Sequence, residues 1–570
     1  MKRWIFILAA AVSTTVAASA QNQNVSGTYG GLIMDKDLLM PSDFFELSQT
    51  QFNFGTARAM AMAGAFTSLG ADLSSMSINP AGLGMYRHND ISITPMMSFM
   101  RAESNADPYG RNKRDRFSMA NIGFVANIYE GSGRLVSLNF GFGYTRIADL
   151  NYDYSYQRWG QQATIGDVYS RLLKWGGISK NDFYNNGGSG DWNWDRIPAE
   201  YFNAALGYRG FLIDQTDASD PSTWKPTWVG DNADIAHFTS MRSRGSIGEY
   251  DISLGANINN KLYIGATLGI QSVYQHKYLD YAEEFFYNDG TGTAADGHGQ
   301  SGLDYQLLWW KLNQDVVIDG TGINFKAGIV YRPIENLRLG AAIHTPTYYS
   351  LDYKFQSAAA GLAYANNDTD PNVRPDQNGF ISTAGDGNMT SLMLVDDGPN
   401  SWSFVSPTRL MFGASYSFGD RGLISVDYER DWYNGIRVKD NPTGLDSQTW
   451  YNDTFRNCLK GSNILRVGAE FKPLPVLALR AGFGYSGSAF KDDNVVFSSP
   501  VIKQTTYYGA GVGFSIARGV VLDVAYQYLS SKTTDYYLFY VQDSEGMAES
   551  ARYNTTFTRH NVALTLGFRF

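Results

Sequence analysis

"HNVALTLGFRF", residues His560–Phe570, ends the chain and decides how the rest of it is read. In an extended strand, Val562, Leu564, Leu566, Phe568 and Phe570 fall on one face. Asn561, Ala563, Thr565, Gly567 and Arg569 fall on the other. An apolar face alternating with a small or polar one is the pattern of a strand with lipid on one side and a lumen on the other. The same alternation sets Val136, Leu138, Phe140, Phe142 and Tyr144 against Ser137, Asn139, Gly141, Gly143 and Thr145. It recurs in Tyr250–Ile258 against Glu249–Asn257.

Carried along the chain, the template predicts fourteen strands, the first Ile91–Arg101 and the last Thr558–Phe570. Links of two to four residues, such as Glu130–Gly133, Asn259–Asn260 and Gly419–Asp420, alternate with links of fourteen or more. Short periplasmic turns, long extracellular loops and an even strand count are what an outer-membrane barrel requires. A soluble sandwich would carry polar residues on its outer face, which these strands do not. The expected fold is all-β: a 14-stranded antiparallel transmembrane barrel. Inward positions carry charges of both signs, among them Glu249, Asp251, Lys326, Asp427, Glu429, Arg466, Glu470, Arg480 and Asp523. Such charges suit ion-paired networks around an internal element, and equally any wall that faces water.

Composition excludes other classes. The 570 residues include 59 glycines, 37 tyrosines and 33 phenylalanines, with only 18% charged. A net charge of −9 without a Lys/Arg run leaves no nucleic-acid surface. The single cysteine, Cys458, and six scattered histidines form no zinc or H-E-x-x-H pattern, so no metal or cofactor is expected. "GFGYSG" (Gly482–Gly487) matches a dinucleotide fingerprint only in letters, because it lies in a strand and opens no helix. "GYSGS" has serine at position 488 where a nucleophile elbow needs glycine. No enzyme is expected.

Residues 1–20 read as a signal peptide. Lys2 and Arg3 precede the apolar core Trp4–Val12, and Ala18-Ser19-Ala20 forms the cleavage site. Beyond it no apolar run reaches the eighteen residues a spanning helix needs.

The stretch "TARAMAMAGAFTSLGADLSSMSINPAGLG" (Thr56–Gly84) is rich in small residues and holds no catalytic pair. Its apolar run, Ala57 to Leu69, suits a short helix packed inside a lumen, and Asn79-Pro80 with Ala81-Gly82 suits a fixed turn. The stretch resembles the N-terminal signature of the FadL/TodX family, outer-membrane transporters of long-chain fatty acids and aromatic hydrocarbons. The matching residues are Gly55, Ala57, Arg58 and Ala59, then Ala63 to Phe66, Asp72 and Asn79 to Leu83. Echoes follow in "SPTRLMFGASY" (Ser406–Tyr416), "LRVGAEFKP" (Leu465–Pro473) and "LALRAGFGY" (Leu477–Tyr485).

The resemblance implies a small N-terminal hatch over residues 21–90, with Arg58, Gly64, Asp72, Asn79, Pro80, Ala81, Gly82 and Leu83 as gate residues. A barrel over 91–570 would follow, with long outer loops at 148–244, 277–318 and 350–406. It implies passive uptake of fatty acids, related lipids or hydrocarbons in the outer membrane of a Gram-negative bacterium, with release through the barrel wall. Haem stays open as a ligand, and a non-transporting adhesin is the other reading. Outer-membrane lipid and the barrel-assembly machinery are the further partners, the latter through Phe570.

Loop 148–244 is too long to be structureless. Within it "TIGDVYSRLLKWGG" predicts a helix that Thr164 caps and Gly176 ends, with Ile165, Val168, Tyr169, Leu172 and Leu173 on one face. With Leu307, Leu308, Trp309 and Trp310 of "LLWWKL", that face is the candidate capture groove; packing against neighbouring loops is the alternative.

Overall fold

The computed structural model describes residues 28–570, apart from 37, 50–53, 106–109, 187–188, 194–195, 211, 228–232, 288–304, 366–379, 383–399, 443–444, 492–495 and 498–500. The signal peptide therefore lies outside the described residues.

Fourteen antiparallel staves close into one barrel. They are β1 (Asp90–Ser104), β2 (Arg111–Glu130), β3 (Leu135–Asp149), β4 (Ala233–Ile258), β5 (Leu262–Tyr287), β6 (Tyr305–Ile334) and β7 (Leu337–His344). The second half comprises β8 (Arg409–Ser417), β9 (Gly422–Trp432), β10 (Gly461–Leu474), β11 (Leu477–Ser486), β12 (Ile502–Ala517), β13 (Val520–Thr533) and β14 (Thr555–Arg569). Further strands extend four staves at the long-loop end: Tyr152–Gln161 beyond β3, Tyr348–Ala365 beyond β7, Asn400–Val405 ahead of β8 and Arg437–Asp440 beyond β9.

Closure comes from the first and last staves. β1 and β14 pair from Asp90↔Arg569 to Ser104↔Thr555, and Asn89 and Phe570 exchange both backbone hydrogen bonds at 3.0 and 3.1 Å. Neither terminal stave is then left as a free edge in hydrocarbon.

The alternation read from the sequence is the alternation of the wall. Ile252, Leu254, Ile264, Ile323, Phe325, Leu564 and Phe568 point outward and exposed, while Glu249, Asp251, Ser253, Lys326 and Thr565 are buried inside. Aromatic residues mark both margins of the apolar belt, as in other membrane barrels. Tyr331, Tyr416, Phe418, Phe471 and Phe570 stand at the short-turn end, and Phe99, Phe117, Tyr274, Tyr348 and Tyr508 toward the loops.

Several staves run far beyond the expected boundaries. β4 and β5 have 26 residues each and β6 has 30, where about 10 cross a bilayer. At about 3.3 Å per residue the wall on this side rises well above the lipid. Much of what reads as loop in 148–244 and 277–318 is thus strand, because cross-strand pairing carries on where lipid-facing alternation stops. The link between β1 and β2 is only residues 105–110 for the same reason.

The N-terminal segment divides in two. Residues 54–89 fill the lower lumen, whereas 28–49 climb to the outer end. There Thr28–Gly31 adds a strand to Phe539–Asp543 in the loop between β13 and β14. Helix α1 (Pro41–Ser48) packs Phe44 among Trp402, Phe404, Tyr451 and Phe455 at 5.2–5.8 Å between ring centres. The hatch expected over residues 21–90 is accordingly a plug with an ascending strap attached.

Leu564→Arg, placing a charge in the middle of the outward face of β14, is expected to destabilise the barrel by about 2–4 kcal/mol. Reversible unfolding of both proteins from phospholipid vesicles measures it.

Candidate functional site

Packing inside the lower lumen starts from small residues. Helix α2 (Ala57–Ala61) is capped by Thr56, whose hydroxyl accepts from the Ala59 amide and donates to the Asp72 carboxylate at 2.8 Å. The Ser74 amide donates to the same carboxylate, so Asp72 staples the plug's two halves. The helix stops well short of Leu69, the end expected from the sequence. Ala63 and Gly64 adopt φ of +56° and +70°, and the Gly64 amide turns back to the Ala59 carbonyl at 2.9 Å.

Asn79 caps the 3₁₀ turn Pro80–Met85 by accepting from the Ala81 amide, and donates to the Thr67 carbonyl at 2.6 Å. Gly82 lies against Ser75 and Gly70, and Leu83 is buried with its carbonyl accepting from Asn139 at 2.7 Å. The wall makes room in turn. A Cβ on Gly265 would sit 2.3 Å from the Pro80 carbonyl group, and one on Gly340 would sit 2.2 Å from the Thr67 oxygen. All eight residues expected at the gate therefore lie in the plug.

Charges bolt plug to wall. The Arg58 guanidinium donates to Glu470 at 3.1 Å, and Arg480 joins Glu470 (2.7 Å) to Asp523 (2.6 Å). Asp427 accepts from the Thr67 amide at 2.7 Å. Above them Lys326 bridges Glu249 and Asp251, and Arg466 meets Glu429 at 2.5 Å. A polar chamber of about 40 Å³ sits among Lys326, Glu249, His344, Arg409 and the plug's Ser77, room for about three waters. An apolar molecule crossing this layer would separate buried charges from their partners, each such loss costing several kcal/mol.

Higher up lies a different space. A cavity of about 120 Å³ is walled on one side by the strap (Leu32, Met34, Met40, Phe45) and on the others by Met100, Tyr152, Tyr154, Met241, Leu529 and Phe557. Its charged fittings are Lys277 paired with Asp43 and Glu46, Arg559 near Asp149, and Lys503, and Gln49, Gln504, Thr505 and Ser531 add uncharged polar groups. Beside it the barrel ladder opens. β2 and β3 pair from Asn121↔Thr145 down to Glu130↔Ser137, but no pairing joins them above that point, along Arg111–Ala120. β3 breaks at Leu150 and Asn151 before resuming at Tyr152. Side chains alone span this gap: Arg114 to Asp153 (2.7 Å), Arg116 to Asn151, and Ser155 to Asn112 (2.8 Å). Asp149, Tyr152 and Tyr154, on the gap's β3 side, also line the cavity.

The expected groove residues are elsewhere. Helix α3 (Ile165–Gly176) forms where the spacing predicts, Thr164 capping it and Gly177, one residue later than expected, ending it at φ +63°. Ile165, Val168, Tyr169, Leu172 and Leu173 are buried in the apolar core of the outer loops, with Tyr169 edge-on to Trp310 at 6.1 Å. "LLWWKL" is strand, so period two sends Trp310 inward and leaves Trp309 half-buried under Lys311. The side chains of Leu307 and Leu308 lie outside the described residues. None of the seven whose side chains are described lines the cavity. The residues that do line it come from seven or more separate segments, and no local spacing in the sequence announces them.

Residues 249–570, more than half of the chain, match the family model described as outer membrane protein transport protein (OMPP1/FadL/TodX). Among solved structures, a FadL homologue of Pseudomonas aeruginosa aligns with a TM-score of 0.51 and 12% identity, covering 90% of this chain and 98% of that one. The P. putida toluene transporter TodX aligns with a TM-score of 0.48 and 12% identity, over 91% and 99% of the two chains. The Ralstonia pickettii toluene transporter TbuX gives 0.45 and 15%, over 91% and 99%. At these identities the likeness is one of fold. No curated protein sequence matches.

Glu470→Ala strands Arg58 and Arg480 without their shared carboxylate, a loss of about 3–5 kcal/mol where both partners are buried. The plug is expected to loosen and single-channel conductance in planar bilayers to rise, with Glu470→Gln falling between the two.

Proposed function

We propose, for a chain that belongs to the OMPP1/FadL/TodX family of outer membrane transport proteins, that it takes up hydrophobic molecules at the outer mouth and releases them sideways into the membrane. Long-chain fatty acids and related lipids or hydrocarbons are the ligands we assign to it. The observation that carries this reading is the placement of the mouth cavity beside the unpaired stretch between β2 and β3, above a lumen closed by charges. A greasy ligand then has a path that keeps it out of water and away from the polar layer. In this reading Ile165, Val168, Tyr169, Leu172 and Leu173 hold the outer loops in place as the scaffold of the cavity.

A receptor driven from the inner membrane fits less well. Among the described residues the ascending strap leaves no N-terminal arm on the periplasmic side, and no histidine lines the cavity. Phe570, exposed beside the closure at Asn89, is the residue we assign to recognition by the assembly machinery.

The test is to bridge the gap. Cysteines at Asn112 and Ser155, joined by a short bismaleimide, are expected to abolish palmitate uptake into proteoliposomes while palmitate still binds the purified protein. Uptake that survives the bridge would refute lateral release.

A further inference from the structure

The most enclosed cation of the mouth cavity already has an occupant. Lys277 projects inward from β5 with 7% of its side chain exposed, its Nζ 2.6 Å from Asp43 Oδ1 and 3.0 Å from Glu46 Oε2. Both carboxylates belong to α1 of the strap, and neither comes from the barrel wall. They lie three residues apart on one helix face, so a single turn of helix presents both to the ammonium. Asp43 is fixed further because its second oxygen accepts from the Met40 amide at 2.8 Å. Their helix neighbours Phe44, Phe45 and Leu47 are buried in the outer core, which holds the pair at this depth.

The remaining charges of the cavity are Asp149, Arg559 and Lys503. Arg559 is turned to the carbonyls of Asp149 and Asn151. At Lys277 itself two negative charges face one positive charge. That local excess repels a further anion and is indifferent to a neutral head of the same size.

We propose that α1 is a built-in competitor: Asp43 and Glu46 occupy on Lys277 the place that the carboxylate head of an amphiphile would take. This rests on reading the cavity as the site that receives hydrophobic ligands. An anionic head gains Lys277 only when the strap releases it, whereas a neutral head with the same tail enters without that exchange. The strap thereby sets which head groups the mouth admits.

The experiment compares oleate with oleyl alcohol, which share a tail and differ in charge, by equilibrium binding to the full chain in lipid nanodiscs. Asp43→Asn with Glu46→Gln keeps the shape of α1 and its cap while removing both charges. This double variant is expected to tighten oleate about tenfold, a change of about 1.4 kcal/mol, with oleyl alcohol within about twofold. Adding Lys277→Met is expected to cancel the gain for oleate. Heat-modifiable migration on gels confirms that each barrel is folded. If both ligands bind and the double variant moves them equally, or moves neither, the competitor is refuted. If neither ligand binds any of the folded proteins, the cavity's reading as the ligand site fails first, and the competitor with it.

Discussion

Hydrocarbon offers no partner to a peptide group, and that constraint organises this molecule. Each stave must find its hydrogen bonds on its neighbours, so the chain has to close, and it closes where β1 meets β14. Closure makes an inside and an outside out of a sheet, and the period of two then sorts the residues. Isoleucine, leucine and phenylalanine face lipid, and serine, asparagine, glycine and paired charges face the bore. A break in the ladder is tolerable only where side chains or protein cover it. The stretch of β2 above Asn121 meets that condition, with Arg114, Arg116 and Asn112 reaching across to the far side of the gap.

The plug and the wall are two halves of one packing problem. Alanines and glycines in Ala57–Gly84 let the plug's backbone approach closely, and glycines on the staves give up the volume it needs. What fixes the plug after that is charge. Arg58, Glu470, Arg480 and Asp523 form a buried chain of alternating sign, strong only while complete, because removing one member leaves the others unpaired in a dry site. The same chemistry bars greasy molecules from the lower bore, so the apolar volume lies higher, where aromatic residues from the strap, the staves and the loops meet.

The strap links these levels. It joins the plug at one end and the outer loops at the other, and its middle forms a wall of the cavity. Gln314 and Asn203 grip its backbone at Met34, Tyr353 at Asp35 and Tyr451 at Leu39, so its position is set by wall, loop and helix together. On its cavity side Asp43 and Glu46 hold Lys277 between them.

The barrel was legible in the residues because lipid contact imposes a local rule. Alternation in Val136–Tyr144, Tyr250–Ile258 and Val562–Phe570 needs no knowledge of the neighbouring strand, and fourteen such segments imply a closed wall. The plug was legible because its small residues and the Asn79-Pro80 turn are contiguous. The helix at Thr164 was legible for the same reason, from its cap and its spacing. Whether that helix faces a ligand or a core is a different kind of question. Amphipathicity states that one face must be covered and is silent on what covers it, and here loops and Trp310 do. The length of β4–β6, the climb of residues 28–49 and the cavity they wall depend on contacts between segments hundreds of residues apart. Only tertiary structure decides those, since a side chain's neighbours across a barrel leave no trace in its own local sequence.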